Sequence, residues 1–177
     1  MTGTLVWITG LPASGKSTLA ELAQRQLMLR GQATCVLDGD ALRDALVPTP
    51  GYAARDRDQF YQTLANLGAM LTSQGLIVLI AATGHKQLFR SRAAAQTRRF
   101  VEVYVDTPID LCRQHDRKGL YAGDTTTLPG KGVAYQPPHA PDIIAHGGRD
   151  SGALAQLIAR CIDYEVARVS PPPRPRP

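Results

Sequence analysis

Apolar positions along this chain recur with two alternating periods. Leu5-Val6-Trp7-Ile8-Thr9 is a short run that predicts a first strand. Residues 16–30 then carry Leu19, Leu22, Ala23, Leu27 and Met28 at helical spacing, and Gly31 supplies a stop. Residues 33–37 predict a second short strand ending at Asp38-Gly39-Asp40, followed by a brief helix over 41–46 that Pro48 and Pro50 cut off. Phe60, Leu64, Leu67, Met70 and Leu71 mark a helix over 55–73, closed by Gly75. Residues 76–81 are apolar throughout, as in a central strand covered on both faces. A helix over 87–98 and a strand over 100–105 follow, with Glu102 and Tyr104 expected to face outward. Thr107-Pro108 opens a helix running through Cys112, with proline in its first turn.

From 118 to 141 the periodicity fails, and glycine and proline crowd the segment; a loop of this length predicts a lid. Ile143-Ile144 reads as a last short strand. Residues 151–169 form a final helix with Leu154, Leu157, Ile158, Cys161 and Ile162 inward. The PPPRPRP stretch over 171–177 predicts a flexible polyproline II tail. Strand and helix alternate throughout, so the expected fold is one α/β domain over 1–170. Its central sheet is mainly parallel, with helices on both faces in three layers.

Composition narrows the function classes. At 177 residues, 44% hydrophobic and 20% charged, the chain suits a globular domain with one sizeable core. Its longest apolar run is too short to cross a bilayer, and membrane, fibrous and disordered classes are excluded. The first residues lack a basic and then apolar stretch, so no secretory leader is expected. Cys35, Cys112 and Cys161 are odd in number and widely spaced, without a CxxC. They predict buried free thiols and a cytoplasmic protein rather than a disulfide framework or zinc site. The net charge of +5 suits either nucleic acid or a small anion. Lys86, Arg90, Arg92, Arg98 and Arg99 form the densest basic stretch, read as a solvated helix face; no aromatic residues interleave there, so nucleic acid is not an expected partner. His115 and His139 have no partner at metal-ligand spacing.

The sharpest chemical signal is Gly10-Leu11-Pro12-Ala13-Ser14-Gly15-Lys16-Ser17-Thr18, which satisfies GxxxxGK[ST] between an apolar strand and an amphipathic helix. Polyphosphates need many donors and little bulk. Gly10 and Gly15 let successive backbone N–H groups turn into one concavity, and the helix start adds unpaired donors. Lys16 is then expected at the β- and γ-phosphates of ATP, Ser17 on Mg²⁺, and Thr18 at the helix start or the nucleotide. The loop thus predicts a P-loop NTPase fold that binds a nucleoside triphosphate. The chain has no Asn-Lys-x-Asp, and the central strand ends in Ala81-Ala82-Thr83-Gly84 without an acid. Asp38-Gly39-Asp40 is the nearest substitute, at the same carboxyl edge as the loop. A carboxylate there could take the proton of a substrate hydroxyl or hold a metal-bound water; alternatively, Asp40 only caps the next helix. Arg43 shares a helix side with Asp40 and is placed to grip an anion.

These residues resemble the adenylylsulfate kinases, P-loop enzymes that move the γ-phosphate of ATP to the 3′-hydroxyl of adenosine 5′-phosphosulfate (APS). Gly10 to Thr18 is similar to the family's GLxGxGKST, and Leu37-Asp38-Gly39-Asp40-Ala41-Leu42-Arg43 to its LDGDxxR. Asp56-Arg57 resembles its DR pair, residues 101–108 its EVYVDTP, and Cys112 with residues 116–121 its C…RDxKGLY. Tyr135-Gln136-Pro137-Pro138 and Pro141 echo its YExPxxP. The resemblance implies a kinase using ATP and Mg²⁺, with Lys16, Asp38 and Asp40 catalytic and Ser17 and Asp38 toward the metal. It implies Asp40, Arg43, Arg57, Phe60, Thr83 and His85 around the sulfonucleotide, Lys118, Gly119 and Leu120 in the lid, and commonly a homodimer.

The departures fall on the acceptor side. Phe60 stands where the family has Asn, and Gln62-Thr63 where it has an Arg pair. Thr83-Gly84-His85-Lys86 replaces Ser-Pro-Tyr/His-Arg without the proline and one residue shorter, and the lid after Tyr121 is also shorter. APS is the expected acceptor. The alternatives are the same chemistry on another small alcohol, and a non-catalytic nucleotide-binding module whose proline-rich tail docks on a partner.

Overall fold

The computed structural model describes residues 3–169, with side chains through 162; the expected 171–177 tail lies outside them. The elements are β1 (Thr4–Thr9), α1 (Lys16–Met28), β2 (Thr34–Asp38), α2 (Gly39–Ala45), α3 (Ala54–Ser73), β3 (Ile77–Ala81), α4 (Gln87–Ala95), β4 (Phe100–Val105), α5 (Ile109–Gln114), β5 (Ile143–Ala145) and α6 (Ser151–Val169). The five strands are parallel, in the order β2-β3-β1-β4-β5. Central position explains the apolar run of β1 between its two terminal threonines and the wholly apolar β3, every residue of both strands being buried.

Alternation along β1 divides the core in two. Val6 and Ile8 pack with Leu19, Leu27 and Leu157 from α1 and α6. Leu5 and Trp7 pack with Phe60, Leu64 and Phe89 from α3 and α4 on the other face. The outcome is the expected three-layer P-loop fold. From β1 the chain crosses to β2 on one side, whereas from β3 and β4 it crosses to the other. This reversal opens a crevice at the carboxyl ends of the strands, where ligands of parallel α/β sheets bind.

Several expectations change. Glu102 is not outward-facing: it is buried, and its Oε1 accepts from Arg90 Nε at 2.7 Å. Arg90 is correspondingly no part of a solvated face; its guanidinium is fully buried. Tyr104 is half-buried, with its ring stacked on Tyr135. Cys112 and Cys161 are buried as expected, but Cys35 is only half-buried because β2 is an edge strand. Pro108 is the N-cap of α5 rather than a residue of its first turn. α4 stops at Ala95, and just beyond it Thr97 Oγ1 donates to Ala93 O at 3.1 Å. Residues 118–141 contain no helix or strand, only turns and one bridge between Pro129 and Val133.

Candidate active site

The crevice is a cavity of about 1600 Å³ bounded by the 10–18 loop, the β2 tip, α3 and the 118–129 segment. The loop between β1 and α1 is bent by Gly10 at φ 153° and Gly15 at φ 102°, conformations closed to most residues. A side chain at Gly10 would meet Val105 O at 2.6 Å, so β4 also forbids one. Thr107 Oγ1 donates to Ser14 O at 2.9 Å and pins the loop from β4's exit. Lys16 Nζ donates to Gly10 O and Leu11 O at 3.1 and 2.7 Å, curled over the loop it belongs to. Desolvation lowers its pKa to about 8, against the opposing pull of Asp40, Cys112 and Asp38.

The carboxylate pair sits against this loop. Ser17 Oγ donates to Asp38 Oδ2 at 2.5 Å. Asp38, not Asp40, caps α2: its Oδ1 accepts from Asp40 N at 3.0 Å and Ala41 N at 3.2 Å. The cap locks Asp38 in place and leaves the Asp40 side chain uninvolved in holding the helix. Asp40 Oδ2 instead accepts from Lys118 Nζ at 2.7 Å, a bond that raises the Lys118 pKa. The 118–141 segment, expected to be a lid, thus touches the β2 tip directly. Its base is held by Asp116, which accepts from Tyr121 N, and by Tyr121 Oη, which donates to Pro12 O at 3.0 Å.

The far wall is cationic and aromatic. Arg43 and Arg57 are both buried, yet among the described residues neither has a carboxylate partner. Arg43 Nη1 donates to Pro50 O and Gly51 O; Arg57 donates to Tyr52 O and to Thr127 O of the 118–141 segment. Desolvation and the neighbouring Arg43 lower the Arg57 pKa. Two buried guanidiniums satisfied only by neutral carbonyls leave uncancelled positive charge, which an anionic ligand can neutralise.

Most of the expected residues line this one cavity: residues 12–18, Asp38, Asp40, Arg43, Arg57, Phe60, Thr83 and 118–120. Gly10 and Leu11 lie beneath it; Leu11 packs against Gly130 of the lid. His85 is not on the wall. It is buried behind Tyr61 and Phe89, its Nδ1 without a partner among the described residues, and burial lowers its pKa to about 4. Of the residues expected around the acceptor, it is the one that does not line this cavity.

Residues 2–146 match the family model for adenylylsulphate kinase. The chain belongs to the adenylylsulfate kinase family. An adenylyl-sulfate kinase of Synechococcus sp. (strain JA-3-3Ab) is 36% identical over 165 residues, covering 91% of this chain and 90% of that protein. One from Shewanella pealeana is 36% identical over 169 residues, covering 92% and 82%. Among solved structures, the Mycobacterium tuberculosis APS kinase in complex with AMPPNP and APS aligns with a TM-score of 0.83 at 33% identity, over 90% of this chain and 97% of that one.

This adenylylsulfate kinase fold also brings unexpected residues to the cavity. Tyr52 and Tyr61 flank Phe60 and the arginines. His115 and Arg117 stand at the end of α5, and residues 146–150 enter from the turn after β5. A Cβ on Gly148 would meet Gly15 O at 2.4 Å, so this turn packs backbone to backbone on the phosphate loop. The paired glycines Gly147-Gly148 directly after a strand at the carboxyl edge were the available signal.

Proposed function

We propose that this kinase transfers the γ-phosphoryl group of ATP to the 3′-hydroxyl of APS, giving 3′-phosphoadenosine 5′-phosphosulfate (PAPS) and ADP. The observation that carries the assignment of roles is the Ser17–Asp38 contact, which sets the carboxylate pair beside the phosphate loop. The loop amides and Lys16 hold the triphosphate and spread its charge. Asp40, free of the helix cap and exposed on the cavity wall, accepts the acceptor's hydroxyl proton as the new P–O bond forms and the β–γ bridging bond breaks. Lys118 must exchange its bond to Asp40 for one to substrate oxygens. Arg43 and Arg57 take the phosphosulfate charge.

Ser17 Oγ and Asp38 Oδ2 are hard oxygen donors, and among the described residues no cluster of three acidic, histidine or cysteine side chains could hold a metal. That set suits Mg²⁺, which takes one or two protein oxygens plus substrate phosphates and keeps several waters. When bound, Mg²⁺ would offset the negative charge on the β- and γ-phosphates. No described helix is long and apolar enough to cross a membrane. A homodimer is part of this reading, and the molar mass in solution tests it.

Incubation of the purified protein with ATP, Mg²⁺ and APS, followed by anion-exchange separation, is expected to yield PAPS. Asp40→Asn should lower kcat by about 10²- to 10⁴-fold with the fold intact. Turnover on another alcohol but not on APS would replace the acceptor; unchanged kcat in Asp40→Asn would remove the base.

A further inference from the structure

The Arg43 guanidinium is oriented without a counter-charge. Its Nη1 is engaged by two backbone carbonyls, Pro50 O at 3.0 Å and Gly51 O at 2.7 Å. Its Cζ lies 4.0 Å from the centroid of the Phe60 ring and 4.5 Å from that of Tyr52. Nε and Nη2 have no protein acceptor among the described residues. Phe60 is itself 3% exposed, borders the cavity, and is fixed edge-on by Tyr61 at 5.5 Å.

A carboxylate would orient the guanidinium equally well, but it would also cancel its charge and occupy its donors. A ring face attracts the cation through its quadrupole, and more strongly where water is excluded. It constrains the plane of the guanidinium while leaving its charge and N–H groups available. Leucine could fill the volume of the ring but has no such face. Tyrosine retains it.

We propose that Phe60 is a positioning residue of the acceptor site: its ring face holds the Arg43 guanidinium so that Nε and Nη2 meet the oxyanion of an anionic acceptor. The inference rests on the reading of this cavity as the site of APS. It assigns the acceptor-side departure at position 60 a role in gripping the anion rather than in abandoning it. Binding of the acceptor, more than the transfer step, is what Phe60 serves.

Steady-state kinetics of Phe60→Leu and Phe60→Tyr test it, with both substrates varied. In Phe60→Leu the KM for APS is expected to rise about tenfold while the KM for ATP stays within twofold. Phe60→Tyr is expected to remain near the unsubstituted enzyme. A second readout is the rise in Tm on adding inorganic sulfate to protein saturated with ADP, which keeps the phosphate loop filled. That rise should persist in Phe60→Tyr and vanish in Phe60→Leu. An unchanged KM for APS in Phe60→Leu, an equal rise in both KM values, or a tyrosine variant as impaired as leucine would overturn the proposal. If the unsubstituted enzyme makes no PAPS, the APS assignment falls and the sulfate shift alone decides Phe60. Its selective loss in Phe60→Leu upholds the positioning role; equal shifts in all three proteins, or none in the unsubstituted one, reject it.

Discussion

Lys16 carries the one ammonium of the 10–18 loop, and its surroundings disfavour that charge. Desolvation draws its pKa from 10.5 to about 8, and the nearby carboxylates only partly oppose this. Because the folded value lies below the unfolded one, the unfolded chain binds the extra proton between pH 8 and 10.5. Keeping Lys16 charged therefore costs stability below about pH 8, and this cost is relieved as pH rises through that window. Binding runs the other way, since a triphosphate needs the ammonium. We expect kcat/KM for ATP to fall above about pH 8, where the free enzyme loses the proton, while kcat holds to higher pH because bound phosphates stabilise it. A flat kcat/KM profile from pH 7 to 9.5 would contradict this account. The loop was legible in sequence because it is contiguous: the motif runs over nine successive residues, of which 12–18 line the cavity. His85 was expected near the sulfonucleotide from the resemblance alone, and no signal in the sequence foretold that it packs buried against Tyr61 and Phe89.

The phosphate loop is supported by elements far away in sequence. Its most demanding neighbour is the turn between β5 and α6. A Cβ at Gly148 would fall 2.4 Å from Gly15 O and 2.9 Å from Gly15 Cα, both backbone atoms that cannot swing aside. Gly148→Ala must displace either the turn or the loop, and misplacement on the order of 1 Å is enough to cost catalysis heavily. We expect ADP affinity measured by calorimetry to drop about tenfold, with the circular dichroism spectrum unchanged. Gly152→Ala is the control, since its backbone is not left-handed and its added methyl comes no nearer than 3.4 Å to the Asp150 carboxylate. Equal ADP affinity in Gly148→Ala and the unsubstituted protein would show that the contact does not constrain the loop. At this scale strands and helices followed their periods, and errors were confined to ends such as that of α4. Residues 118–141 gave no period because their order comes from long-range bonds, such as Tyr121 to Pro12 and Arg57 to Thr127. Asp38 and Asp40 exchanged the capping role for a similar reason: either carboxylate satisfies the composition rule, and only the turn at Gly39 selects between them.

Across the whole molecule, one buried cation joins three parts of the fold. Arg90 of α4 reaches Glu102 on β4 at 2.7 Å, Gly84 O after β3, and Gln136 O where the lid segment returns at 2.9 Å. Gln136 also receives a bond at its side chain from Gln87 N and gives one from its backbone to His85 O. Beside it, Tyr135 meets Thr9 Oγ1 at 3.0 Å, and Thr9 donates to Thr83 O at 2.6 Å. The lid's rear end is thereby bolted to the strand tips that hold the phosphate loop and the acceptor wall. None of this was visible in sequence, because a buried arginine at helical spacing among other arginines carries the same pattern as a solvated one. Removing one partner of a buried pair strands the other's charge, at a cost of about 3–5 kcal/mol. For a domain of this size that corresponds to a Tm loss of roughly 6–20 °C. Glu102→Leu and Arg90→Met should each show a loss in this range by calorimetry. The double variant removes both charges together, so its loss should be smaller than the sum of the two, although the carbonyls of Gly84 and Gln136 still lose their donor. Strict additivity would mean that the two side chains stabilise the fold independently, and that the Arg90–Glu102 pair itself contributes no coupling.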